Sequence, residues 1–170
     1  NIDYAVEAEG EVAFKELLNA LKKGNDVSKV PNLWYKDNGK VKRTGLIKYL
    51  NMDEIPNQRI EFWNDKHFKK PYDGKLYNTG FFEASRGCMH KCHYCINRAF
   101  QVFQEESGKV RRNKSVDQII NEVKSIHKER NFELIMFTDD NFLARQPREF
   151  NEFYDRWKKE INVPYWMNTC

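Results

Sequence analysis

Cysteine is scarce, and its spacing says more than its number. The 170-residue chain has four cysteines, Cys88, Cys92, Cys95 and Cys170, and three of them fall within eight residues. Thiols that close cannot form the spaced disulfide framework of a small secreted domain. Metal or cluster ligation in a reducing compartment, here the cytoplasm, is the expected use. No apolar run approaches the ~20 residues of a membrane span, and the N-terminus lacks the apolar core of a signal peptide. Only five prolines and eight glycines punctuate the chain. No internal repeat or low-complexity tract is present, and a net charge of +4 is too mild to imply nucleic acid. What the chain does have is a core-forming composition, 40% hydrophobic and 14% aromatic beside 32% charged residues. That excludes a disordered chain. The length suits one domain or pieces of two. Beginning at Asn1 and stopping at Cys170 directly after an apolar run, it reads as a segment of a longer protein.

Charge is unevenly spread. Residues 1–26 hold six acids and three lysines, whereas residues 78–114 hold seven bases (Arg86, Lys91, Arg98, Lys109, Arg111, Arg112, Lys114) and three acids. The contrast points to two units. A helix is expected over Glu11–Lys23, with Ala13, Phe14, Leu17, Leu18 and Leu21 on one face and Gly24 as terminator. Pro31 to Arg43 reads as a hairpin, because Asn38-Gly39 is a strong two-residue turn signal. Residues 45–76 show no sustained period and read as an irregular linker. Beyond it, Gly80–Ser85 reads as a strand, followed by the cysteine loop. Ser115 and Gln118 form a capping box for a helix whose apolar face is Val116, Ile119, Ile120, Val123 and Ile126. Leu134–Phe137 reads as a buried parallel strand. Pro147 opens a helix carrying Phe150, Phe153, Tyr154 and Trp157, and Val163–Thr169 is a third strand. Strand, helix, strand, helix, strand implies an α/β fold with parallel strands in right-handed βαβ units. Chemistry in such folds sits at the C-terminal ends of the strands. The cysteine loop, the acid pair Asp139-Asp140, and Asn168, Thr169 and Cys170 then share one rim.

The loop itself reads Ser85-Arg86-Gly87-Cys88-Met89-His90-Lys91-Cys92-His93-Tyr94-Cys95, a C-x3-C-x2-C spacing. Three thiolates this close suit a compact iron–sulfur cluster. A four-iron cluster normally takes four cysteines, so three would leave one iron open to a small chelating molecule. A zinc site is the alternative, with His90 or His93 as fourth ligand, though structural zinc sites usually pair two separated knuckles and no second one is present. A zinc-binding, non-enzymatic module therefore stays open.

Here the residues resemble a family. C-x3-C-x2-C with an aromatic before the last cysteine, in a loop after the first strand of a βα series, resembles the radical S-adenosylmethionine (radical SAM) enzymes. Ser85-Arg86-Gly87-Cys88, Arg111-Arg112-Asn113-Lys114-Ser115 and Phe137-Thr138-Asp139-Asp140-Asn141-Phe142 are similar to the family's surrounding segments. The combination resembles the subgroup that carries an N-terminal cobalamin-binding domain. Ala8-Glu9-Gly10-Glu11 and the helix after it resemble the end of that domain, and Val30–Tyr35 the hairpin that follows it. The resemblance divides the chain into a cobalamin-domain tail (1–26), a hairpin and irregular linker (27–76) and the N-terminal half of a radical SAM barrel (77–170). Three strands stand where the family typically has six. No Asp-x-His-x-x-Gly cobalamin motif is present, and Thr138-Asp139-Asp140 occupies the place of the family's Gly-Gly-Glu.

The resemblance implies that Cys88, Cys92 and Cys95 ligate a 4Fe-4S cluster whose fourth iron is chelated by SAM. It further implies reductive cleavage of SAM to a 5′-deoxyadenosyl radical that abstracts hydrogen from a small-molecule substrate. Cobalamin-dependent methyl transfer is the reaction typical of the subgroup, and an electron donor such as flavodoxin or ferredoxin is the implied partner. Tyr94 is placed near the SAM adenine, and Asp139 or Asp140 is placed to accept from its amino group. Arg86, Arg98, Arg111 and Arg112 are candidates for an anion site. A methylthiotransferase-like radical SAM protein is the enzymatic alternative. It is disfavoured because that type has three more cysteines in an N-terminal domain and none lies before Cys88.

Overall fold

The computed structural model describes residues 2–169 and divides them into two compact units, residues 2–50 with 91–110 and residues 51–90 with 111–169.

The first unit holds a three-stranded antiparallel sheet of β1 (Tyr4–Val6), β2 (Leu33–Asp37) and β3 (Lys40–Arg43), in the order β1-β2-β3. The hairpin is as expected: Asn38 and Gly39 both take positive φ, 48° and 76°, as a tight two-residue turn matched to the strand twist requires. Helix α1 (Gly10–Lys23) ends on Gly24, whose left-handed φ of 65° lets its N–H reach back to the carbonyls of Ala20 and Leu21. Only part of the expected apolar face is buried. Ala13, Leu17 and Ala20 are covered, the last two packing with Val30 and Leu33, while Phe14, Leu18 and Leu21 stay 56, 50 and 47% exposed. A second helix, α2 (Ile96–Phe103), starts directly on Cys95 and buries none of its residues.

The second unit is built on a four-stranded sheet. Strand β4 (Lys69–Tyr72) forms a hairpin with β5 (Lys75–Phe82). A short β6 (Ser85–Arg86) pairs antiparallel with β7 (Arg112–Asn113). After α3 (Val116–Arg130) come β8 (Leu134–Phe137), α4 (Pro147–Glu160) and β9 (Tyr165–Met167). The sheet order is β4-β5-β8-β9, and β5, β8 and β9 run parallel with α3 and α4 as crossovers. This is the α/β arrangement expected from the sequence. The capping of α3 is half as expected: Ser115 Oγ accepts from the Gln118 N–H at 3.2 Å, but the Ser115 N–H is held by Asp53 at 2.8 Å and the Gln118 side chain turns to Asn57.

One face of the sheet carries Phe82, Ile135 and Phe137 against the helices. An aromatic cluster of Phe137, Phe142, Phe153, Trp157 and Tyr165 fills the centre, with the indole N–H of Trp157 satisfied by the Val163 carbonyl at 2.8 Å. Gly80 faces the same layer. A Cβ there would sit 2.6 Å from a Phe132 ring carbon, so the strand approaches the helix layer closer than any side chain permits. On the opposite face Phe81, Met136 and Trp166 lie side by side in register.

Three expectations need correction. Residues 45–76 are not an irregular linker. They contain β4, the start of β5 and short 3-10 turns at Met52–Glu54, Ile60–Phe62 and Asp65–Phe68, and Ile60 and Phe68 belong to the second unit's core. Each turn buries single residues, which leaves no period to read. The strand expected over 80–85 ends at Phe82, because Ser85 and Arg86 leave the sheet to pair with β7. Tyr154, expected on the buried face of α4, is 48% exposed.

Candidate cluster and cofactor site

The rim is set by three adjacent parallel strands. Their C-terminal ends lead into Glu83–Cys88, Thr138–Arg145 and Asn168-Thr169, while Cys170 lies outside the described residues. Hydrogen bonds stitch these segments together. The Phe142 N–H donates to the Asn168 carbonyl at 2.9 Å, the Asn168 side chain donates to the Asp139 carbonyl at 3.1 Å, and the Lys114 N–H donates to the Ala84 carbonyl at 2.9 Å.

The two acids have different fates. Asp139 is 1% exposed. Its carboxylate accepts from the Ala84 N–H at 3.1 Å and from the Ser85 hydroxyl, tying the end of β8 to the lead-in of the cysteine loop. Burial raises its pKa above the ordinary carboxylate range, opposed by those two hydrogen bonds and by the charges of Arg145 and Arg111. Asp140 is exposed.

The basic segment before α3 is largely a brace. Lys114 is 4% exposed and ion-paired with the equally buried Glu122 at 2.6 Å. Arg111 Nη1 donates to the Gly87 carbonyl at 3.4 Å and Nη2 to the Ala144 carbonyl at 3.0 Å, bridging the residue before Cys88 to the loop after β8. Arg86 pairs with Glu83 at 2.8 Å. Exposed Arg98 lies against the His93 ring, with Nη1 2.7 Å from its Nδ1. Arg145 was not singled out from sequence, yet its guanidinium donates to the carbonyls of Lys114 and Ala84 at 3.1 and 2.7 Å and lies over the Phe142 ring. It lies in an aperiodic loop, and burial is the signal that marks it. Nε of Arg111, Nε of Arg145 and Oδ1 of Asn141 are buried with no hydrogen-bond partner among the described residues. Such orphans at a rim are what a polar ligand would satisfy.

None of the three cysteines Cys88, Cys92 and Cys95 is in a disulfide. Cys88 is buried in the second unit, and its Sγ accepts from the His90 N–H at 3.5 Å. Cys92 is exposed and Cys95 half-buried in the first unit, linked by a turn in which the Cys95 N–H donates to the Cys92 carbonyl at 3.1 Å. Among the described residues no three His, Cys, Asp or Glu side chains are grouped to hold a metal ion. The donor chemistry, three thiols in one loop, is nonetheless that of an iron–sulfur ligand set. Tyr94 is 94% exposed, so it is not packed beneath the loop. His67 stacks edge-on with Trp63, and His127 accepts the Phe132 N–H at 3.1 Å, both local structural contacts. An apolar cavity of about 290 Å³, lined by Ile60, Trp63, Phe68, Phe81, Phe82 and Phe132 among others, includes none of the expected site residues.

Residues 82–167, half of the chain, match the family model of the radical SAM superfamily. The chain belongs to that superfamily. It is 35% identical over 148 residues to an uncharacterized methyltransferase of Pyrococcus horikoshii, covering 86% of this chain and 30% of that protein. It is 24% identical over 143 residues to an anaerobic magnesium-protoporphyrin IX monomethyl ester cyclase of Synechocystis, covering 82% and 26%. The chain thus spans less than a third of the length of these relatives. Two solved structures share its fold. One is the cobalamin-dependent S-adenosylmethionine radical enzyme OxsB, with a TM-score of 0.68 at 21% identity over 98% of this chain and 22% of that one. The other is the radical S-adenosylmethionine methyltransferase TsrM of Kitasatospora setae, with a TM-score of 0.63 at 16% identity over 97% and 33%. The radical SAM family implies a 4Fe-4S cluster and SAM. Among the described residues no helix is long and apolar enough to cross a membrane.

Proposed function

We propose that the protein containing this chain is a cobalamin-dependent radical SAM methyltransferase acting on a small molecule. The observation that carries the reading is the C-x3-C-x2-C loop leaving the first of three parallel strands within the family match. The Pyrococcus relative, a methyltransferase by name, and TsrM favour methyl transfer, and OxsB and TsrM favour cobalamin as third cofactor. Residues 1–26 then form the tail of a cobalamin-binding domain, and the exposed stripe of Phe14, Leu18 and Leu21 is the face that the rest of that domain covers.

When bound, cluster and SAM supply reductive cleavage of the sulfonium and a carbon radical able to open a C–H bond. The chain's own work is to hold and shield. Cys88, Cys92 and Cys95 are the cluster ligands. Asp140, not Asp139, is the acceptor for the SAM amino group, because the Asp139 carboxylate is already spent on Ala84 and Ser85. Tyr94, fully presented to its surroundings, is free to line the adenine. Asn141 Oδ1 and Arg145 Nε offer one acceptor and one donor to a zwitterionic ligand end. Phe81, Met136 and Trp166, one residue short of the rim on three neighbouring strands, make an apolar layer that keeps water from a reactive centre.

The test is anaerobic reconstitution of the full-length protein. It should give a brown chromophore with about four irons per chain, as a four-iron cluster demands. Replacing Cys88, Cys92 or Cys95 by Ala should abolish it. Stoichiometric zinc without iron uptake would show a zinc module instead.

A further inference from the structure

Two cations around the cysteine loop have an anion at ion-pair distance. Arg86 has Glu83 at 2.8 Å, and Lys114 has Glu122 at 2.6 Å. Arg145 donates to the carbonyls of Lys114 and Ala84, and Asp139, a buried carboxylate of the rim, opposes the effect of burial on both Arg145 and Arg111. Among the described residues Arg111 has no carboxylate within ion-pair distance. Its two terminal nitrogens are spent on the neutral carbonyls of Gly87 and Ala144, and its Nε is buried with no hydrogen-bond partner among the described residues. An uncompensated guanidinium held in a desolvated place is costly unless a negative charge arrives beside it. The fold keeps it against the residue that precedes Cys88. Burial lowers the Arg111 pKa, opposed first by Asp139 and then by Cys88 and Asp140. Of these, Asp139 is shared with Arg145, and Asp140 is exposed.

We infer that Arg111 is the counter-charge of the iron–sulfur cluster at its Cys88 corner, a positioning residue that raises the cluster's reduction potential and helps retain it. The inference rests on the cluster reading above. A four-iron cluster on three thiolates is net negative, and reduction adds one further electron to it. A fixed cation at one corner therefore stabilises the reduced state more than the oxidised one, and local charge is one of the protein's means of setting cluster potential. The arginine itself neither gains nor loses an electron or proton. Because its hydrogen bonds go to backbone carbonyls that any cationic side chain could reach in part, charge and clamp can be separated by substitution.

The experiment is potentiometric titration, with dithionite as reductant and electron paramagnetic resonance as readout, on the reconstituted full-length protein without SAM. Arg111→Gln and Arg111→Met should shift the reduction equilibrium about tenfold toward the oxidised cluster, a fall of about 59 mV for one electron. Arg111→Lys should restore most of it. If the neutral variants lose iron while the lysine variant keeps it, the counter-charge is needed for retention and the inference stands. Full iron with an unchanged potential in the neutral variants overturns it. So does iron loss in all three, which would make Arg111 a clamp on Gly87 and Ala144. A wild-type protein that takes up no iron would instead overturn the cluster reading beneath it.

Discussion

Asp139 and Asp140 are adjacent, chemically identical and expected to respond to substitution in opposite ways. Asp139→Ala removes the acceptor of two donors, the Ala84 N–H and the Ser85 hydroxyl, both in buried residues. Each buried donor left unsatisfied costs about 1–3 kcal/mol, so the pair amounts to about 2–6 kcal/mol. Arg145 also loses its main opposing charge, which pushes the cost toward the upper end. That is a large share of the ~5–15 kcal/mol that holds a typical domain together. Asp140→Asn acts on an exposed side chain and should leave stability within about 0.5 kcal/mol. It should, however, remove a charge-assisted hydrogen bond to the SAM amino group, worth about 1.5–3 kcal/mol, or roughly a ten- to hundredfold loss of SAM affinity. Urea unfolding followed by tryptophan fluorescence, with equilibrium dialysis of SAM on the same preparations, separates the two effects. An Asp139→Ala protein less than about 1 kcal/mol destabilised would refute the bracing role derived from its hydrogen bonds. An Asp140→Asn protein that binds SAM normally would refute the division of labour.

Two further outcomes are expected. Lys114→Met leaves Glu122 charged and buried and should cost about 3–5 kcal/mol in urea unfolding, whereas the double variant Lys114→Met, Glu122→Leu should recover most of that; a double variant no better than the single would show that the pair is not the unit of stability. In the first unit Glu7 takes hydrogen bonds from Arg43 and from the Trp34 indole, and Arg43 foremost holds its pKa below the ordinary 4.5. Its contribution is therefore complete above pH 4.5 and is lost as the pH falls through the lowered value. The Trp34 indole N–H resonance should move in that window in the wild type but stay flat in Glu7→Gln, and equal movement in both would exclude Glu7 as the cause.

The cysteine loop, the three parallel strands and their crossover helices were legible because each is local. A ligand spacing, a four-residue apolar run and a capping serine need nothing beyond their neighbours in sequence. What was not legible is how residues far apart share a burden. Arg111 to Ser115 reads as a run of charge that could hold an anion, yet in the fold Lys114 is consumed by Glu122, Ser115 by the start of α3, and Arg111 by two carbonyls. The acid pair reads as two equivalent candidates, and only the turn of the chain after β8 sends one carboxylate inward to Ser85 and leaves the other exposed. Amphipathic patterning likewise shows that α1 has an apolar stripe but not that half of it lies uncovered. The common cause is tertiary competition: a charged or apolar side chain has several possible partners, and its sequence neighbours do not say which one the fold brings first. At this rim the competition ends with Glu122 taken by Lys114 and Asp139 by Ala84 and Ser85, and among the described residues the Arg111 guanidinium, held against Gly87 beside Cys88, has no carboxylate at ion-pair distance. Its position follows from the arrangement of the whole rim, which is why no motif announces it.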